Sequence, residues 1–191
     1  MVLKEKFFHG VEDLECLKNI LQNGLLSRKL LQENNNDSFT SKQDFLYSNS
    51  INGITNISVS KYKSLSYYVF GITTIMLIID SNVNVTNKNE FFEGECHIKD
   101  FIPVKSILGI GGFNKNFNIS KFKAAQLLSN DREKFINFKN YVKKYYDAIQ
   151  FIMSNKLTFK VYDCNSGNVI TFSKIIKCYE MLLKLGDQVY A

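Results

Sequence analysis

Proline occurs once, at Pro103, histidine twice, at His9 and His97, and arginine twice, at Arg28 and Arg132, in a chain of 191 residues. Nor is there a long apolar run. The longest strongly apolar stretch, residues 75–79, is far too short to span a bilayer, which argues against a membrane-spanning helix and predicts no membrane partner. The opening residues, Met1-Val-Leu-Lys-Glu-Lys-Phe, lack the apolar stretch of a signal peptide, so the expected location is cytoplasmic, with export by a signal-free route leaving no mark. Four cysteines, Cys16, Cys96, Cys164 and Cys178, form no Cys-x-x-Cys pair and have no histidine at zinc-ligand spacing. That pattern argues against a structural zinc site and predicts free thiols and no metal.

What is present is ample apolar material. With 45% hydrophobic and 14% aromatic residues the chain can bury one sizeable core, and residues 1–191 are expected to form a single domain. The formal net charge of +6 attracts polyanions, leaving nucleic acid, an acidic protein and the phosphates of a dinucleotide open as partners. Nearly all of that excess is lysine, in a chain also rich in Asn, Ile, Phe and Tyr, so it fits a codon bias toward A and T and is weak evidence for nucleic-acid binding.

Periodicity divides the chain into elements. Leu14, Leu17, Ile20 and Leu21 recur at helical spacing over 12–22, with Glu12, Asp13 and Glu15 where the helix dipole favours negative charge and Asn23-Gly24 as the stop. Residues 32–44 are polar and unpatterned and read as a surface loop, either a lid or an indifferent insertion. Strands are expected at 56–60, at 74–80 as a fully buried apolar run, at 94–98 and at 106–110, with a helix at 64–70. Gly109-Ile-Gly-Gly112 lacks the context of a dinucleotide fingerprint and reads as a turn. Beyond it, 131–154 is a long amphipathic helix, Leu157 to Val161 turns back through Asn165-Ser-Gly-Asn168 into a hairpin, and Ser173 caps a last helix stopped by Gly186. The expected fold is α+β: two packed sheets with a cleft between them, flanking helices, and a helix-hairpin-helix extension over 112–191.

Three short motifs carry the chemistry: Phe7-Phe8-His9-Gly10, then Asn56-Ile57-Ser58-Val59-Ser60 with Tyr67 and Tyr68 following, then Phe91-Phe92-Glu93-Gly94-Glu95-Cys96-His97-Ile98. Side chains on a strand alternate with period 2, so Glu93 and Glu95 share one face, as do Ser58 and Ser60, while Cys96 and His97 point apart and make no nucleophile pair. Breaking an N-glycosidic bond builds positive charge on the ribose, which a carboxylate stabilises while a polar ring holds the sugar hydroxyls.

The order His-Gly, Ser-x-Ser, Glu-x-Glu resembles the ADP-ribosyltransferase superfamily, shared by mono-ADP-ribosylating toxins, poly-ADP-ribose polymerases and tRNA 2'-phosphotransferases, over roughly residues 5 to 111. The resemblance implies NAD as a substrate bound in the cleft. It implies Glu95 on the nicotinamide-side ribose and Glu93 orienting an acceptor such as arginine. It implies His9 on a ribose hydroxyl, the backbone of Gly10 on the carboxamide, Ser58 positioning Glu95 with Ser60 on the same face, and Tyr67 or Tyr68 stacked on the cationic nicotinamide ring. The pattern is a hybrid: His9 stands where arginine-specific toxins carry arginine, and Ser58 where polymerases carry tyrosine. The implied activity is therefore transfer of ADP-ribose from NAD to a macromolecule, preferably protein, with nucleic acid also possible, of the kind used by toxins, effectors and phage-conflict proteins. The alternatives are a nucleic-acid ADP-ribosyltransferase, an NAD glycohydrolase, an RNA 2'-phosphotransferase, for which two arginines are few, and a catalytically inactive binding module.

Overall fold

Strand β4 (Ile75–Ile79) is an unbroken run of apolar residues, five buried side chains in five, as expected of a strand covered on both faces. Here, as throughout, the structure is a computed structural model, which describes residues 1–11, 14–33, 56–61, 75–88 and 95–187. Against β4 lies β1 (Phe7–Val11), antiparallel and in continuous register from Phe7↔Ile79 to Val11↔Ile75. Lys6, just before β1, and Asp80, just after β4, close that end of the pair with an ion pair of 3.1 Å. The Lys6 ammonium, first among the causes, holds the Asp80 carboxyl below its ordinary range.

The chain divides into two units, Val2–Gly109 and Ile110–Ala191 with Met1, and the division falls two residues before Gly112, inside β8 (Ile107–Gly112). In the first unit the strand order is β8-β4-β1-β3-β6-β5, with β3 (Asn56–Lys61), β5 (Val85–Lys88) and β6 (Glu95–Lys99), and with only the start of β8 belonging to this unit. The ladders β1–β3, β1–β4, β3–β6 and β5–β6 are all antiparallel. The architecture is mixed α and β built on one large, mostly antiparallel sheet. Among the described residues the second sheet is β2 (Leu25–Leu26) paired with β7 (Phe101–Ile102).

Helix α1 (Leu14–Asn23) buries Leu17, Ile20 and Leu21 at helical spacing, each worth about 1.5–3 kcal/mol when fully covered. It stops at Gly24, whose φ of 90° lies in the left-handed region and whose amide bonds to Ile20 O at 2.9 Å. A second helix, α2 (Arg28–Glu33), takes in Gln32 and Glu33, which the sequence assigned to a loop; the rest of that loop and the expected helix at 64–70 lie outside the described residues.

In the second unit, α3 (Lys121–Asn130) precedes α4 (Arg132–Ser154), where Asp131 Oδ1 accepts from Lys134 N at 3.0 Å. Residues 109–112 are part of a strand, not a turn. The end of β8 runs parallel to β9 (Val161–Asp163), pairing Gly112 with Asp163. A Cβ on Gly112 would sit 3.1 Å from Phe117 and 3.2 Å from Tyr145, so here glycine serves close packing. The Tyr145 hydroxyl donates to Gly111 O at 2.7 Å. β9 and β10 (Val169–Ile170) form the expected hairpin, shorter than the alternation suggested because Leu157 to Lys160 precede the strand. The last helix, α5 (Phe172–Asp187), runs through both Ser173 and Gly186.

Asp163 organises the hairpin turn. Its carboxylate accepts from Ser166 Oγ at 2.6 Å and from the amides of Asn114 at 3.1 Å and Asn165 at 3.4 Å, at 7% exposure. Burial opposes its ionisation, but the Ser166 hydroxyl and these amides outweigh it and hold the carboxyl low. Asp80 and Asp163 thus bind protons less readily folded than unfolded. Their stabilisation is full above the unfolded carboxylate value near ~4 and is lost as pH falls through the lower folded values. Thermal midpoints between pH 5 and pH 2 are expected to drop steeply, and the Asp80→Asn, Asp163→Asn double variant is expected to show a shallower slope. An equal slope in the variant would assign the acid sensitivity to other groups.

Candidate active site

The three motifs occupy three consecutive strands. β1 carries His9 and Gly10, β3 carries Ser58 and Ser60, β6 opens on Glu95, and the order in the sheet is β1-β3-β6. Ser60 is paired with Phe8 on one side and with Glu95 on the other, and Ser58 is paired with His97. Directly opposed residues of an antiparallel pair share a face, with Cβ atoms about 5 Å apart. One face across β3 and β6 therefore holds register positions Ser58, Ser60, Glu95 and His97. The reverse face holds Ile57, Val59, Cys96 and Ile98, each no more than 4% exposed. The apolar reverse favours this register, since a slip of one residue would turn Ile57, Val59, Cys96 and Ile98 out of it; Ser60 on the other face is itself buried, at 4% exposure.

Among the described residues, β1 and β3 pair through Phe7↔Lys61 and Phe8↔Ser60. Beyond that point β1 continues with β4 as far as Val11, while β3 continues with β6 as far as Asn56. The β1–β4 and β3–β6 ladders run on either side of this pair, so β1 and β3 are both inner strands of the sheet.

The register also gives the face of β1 on which His9 stands. Alternation along β1, unbroken against β4, places His9 on the Phe7 side and Gly10 on the Phe8 side, and it is Phe8 that is paired with Ser60. The register therefore groups Gly10, Ser58, Ser60 and Glu95 and sets half-buried His9 on the other face of its strand. The histidine on the serine–glutamate face is His97, half-buried, opposite Ser58 and two residues from Glu95. Weighing His97 only against Cys96 overlooks it; the same period of 2 that pairs Glu93 with Glu95 would have found it. Glu93, Tyr67 and Tyr68 lie outside the described residues.

Two cysteines of the second unit are poor nucleophiles. Burial pushes the Cys164 thiol up to about 12 and the Cys178 thiol up to about 11, so both stay protonated near neutral pH. All four cysteines are free, and among the described residues no three His, Cys, Asp or Glu side chains are grouped to hold a metal. No described helix is long and apolar enough to cross a membrane. Comparison of the chain with models of known protein families, with characterised proteins and with solved structures found no match.

Proposed function

We propose that the chain is a mono-ADP-ribosyltransferase that cleaves NAD and passes ADP-ribose to a macromolecular acceptor. The observation that carries this reading is the register that sets Glu95 opposite Ser60, two residues from Ser58 on the same face of β3. In the reaction the bond from the ribose anomeric carbon to the nicotinamide nitrogen breaks and its electron pair leaves with neutral nicotinamide. The acceptor's lone pair then forms the new bond to that carbon, and its proton passes to solvent. Glu95 offsets the positive charge on the ribose ring between these events, and the serines hold the carboxylate in place. The Gly10 amide and carbonyl take the carboxamide. Glu93 meets the acceptor, which is a protein side chain such as arginine.

Incubation with NAD, alone and with cell lysate, is expected to release nicotinamide, and labelled NAD is expected to mark a product destroyed by protease and spared by nuclease. Absence of nicotinamide in both incubations would refute the reading; label lost only to nuclease would replace the protein acceptor with nucleic acid.

The two histidines sharpen the test. Because register turns His9 away from Glu95 and puts His97 on its face, His97→Ala is expected to slow nicotinamide release more than His9→Ala, with the latter costing at most about tenfold, the low end for a catalytic group. A larger loss in His9→Ala would show that its ring reaches the reacting ribose from the other face of its strand.

A further inference from the structure

Charge is divided unequally between the two units. Residues 110–191 hold thirteen Lys and Arg against six Asp and Glu, a net +7, whereas residues 2–109 hold eleven against twelve, a net −1. The whole excess thus belongs to one unit, and a codon bias toward lysine acting along the entire chain does not by itself produce that segregation. Within the second unit three of the six carboxylates are committed. Asp131 pairs with Lys134, Asp147 pairs with Lys143, and Asp163 is buried in its turn.

The first turn of α3 is where this charge meets an exposed ring. Phe122 is 76% exposed, the most exposed of the large apolar side chains described, and stands between Lys121 and Lys123, both exposed and without an ion-pair partner among the described residues. No acidic residue occurs from Asn114 to Asn130. Single exposed apolar residues are common, but an exposed ring next in sequence to two exposed lysines, in a unit of net +7, is a combination that suits a nucleic-acid strand.

We infer that α3 docks single-stranded nucleic acid, with Phe122 stacking on an unpaired base and Lys121 and Lys123 neutralising the adjoining phosphates. A duplex offers no free base face to such a ring. An anionic membrane is the less suitable occupant. The remaining outward residues of α3, Gln126, Ser129 and Asn130, are polar, so the helix presents one apolar side chain rather than the apolar face that interfacial helices bury.

The inference does not rest on the NAD reading and is tested separately, on the full chain. A fluorescent oligo-dT is titrated by anisotropy across a salt series, beside a duplex of equal length and vesicles of phosphatidylcholine with phosphatidylserine. Binding is expected for the single strand above the duplex and vesicles, weakening as salt rises. Phe122→Ala is expected to reduce affinity roughly tenfold. The Lys121→Ala, Lys123→Ala double variant is expected to lower the slope of log affinity against log salt by about 1.4. Glu95→Gln should bind as the parent does, which separates this outcome from failure of the catalytic reading. Oligonucleotide binding unchanged in both α3 variants, or vesicle binding in place of strand binding, would overturn the inference.

Discussion

Glu95→Gln is expected to reduce nicotinamide release by on the order of 100-fold or more while leaving the melting transition in place. Glutamine keeps the shape of the side chain and its strand position opposite Ser60, so the exchange removes the negative charge alone. A preorganised electrostatic contact to charge that develops only in the transition state is typically worth 10²–10³ in rate, about 3–4 kcal/mol. Ground-state binding of NAD depends on many other contacts, so the loss is expected in kcat with KM for NAD changed little. Release measured with saturating NAD, alongside circular dichroism of both proteins, checks this. Unchanged turnover would remove Glu95 from the mechanism, and with it the pairing that carries the proposed function.

What the sequence made legible, and what it did not, follows from the range of the forces involved. Residues 75–79 announce a buried strand because five apolar residues in a row leave no wet face, and Leu17, Ile20 and Leu21 announce α1 because one helical face suffices to bury them. The adjacency of β1, β3 and β6 has no local signal. It is set by which strands satisfy one another's backbone groups, a choice made across tens of residues. The glycines at 109–112 mislead because glycine serves both turns and close packing, and only the rings of Phe117 and Tyr145 above Gly112 decide between them. For the site, alternation within β3 and within β6 was readable, whereas the face of His9 relative to Glu95 depends on the register Phe8↔Ser60↔Glu95, which periodicity does not encode. Asp163 was missed because its role comes from Asn114, far away in sequence, as well as from its own turn.

The largest stability effect is expected at Gly24, where two penalties coincide. Its φ of 90° is one that L side chains rarely adopt, at a cost of roughly 1–2 kcal/mol. A Cβ there would also lie 2.5 Å from the Phe101 ring and 2.6 Å from Ile102 O. The ring can turn aside, but the carbonyl belongs to β7, which is paired with Leu25 and Leu26 of β2, so the backbone must shift and overpacking adds about 1–3 kcal/mol. Gly24→Ala is therefore expected to destabilise the unit by about 3 kcal/mol, which for a chain of this size lowers the thermal midpoint by roughly 6–12 °C. Adding Phe101→Ala removes the ring contact but neither the carbonyl contact nor the backbone strain, so it is expected to recover only part of the loss. The parent, single and double variants compared by thermal unfolding give the answer. Full recovery would mean that the ring alone opposes the new methyl group, whereas a shift under about 1 °C in the single variant would mean that α1 does not end against β7 as described.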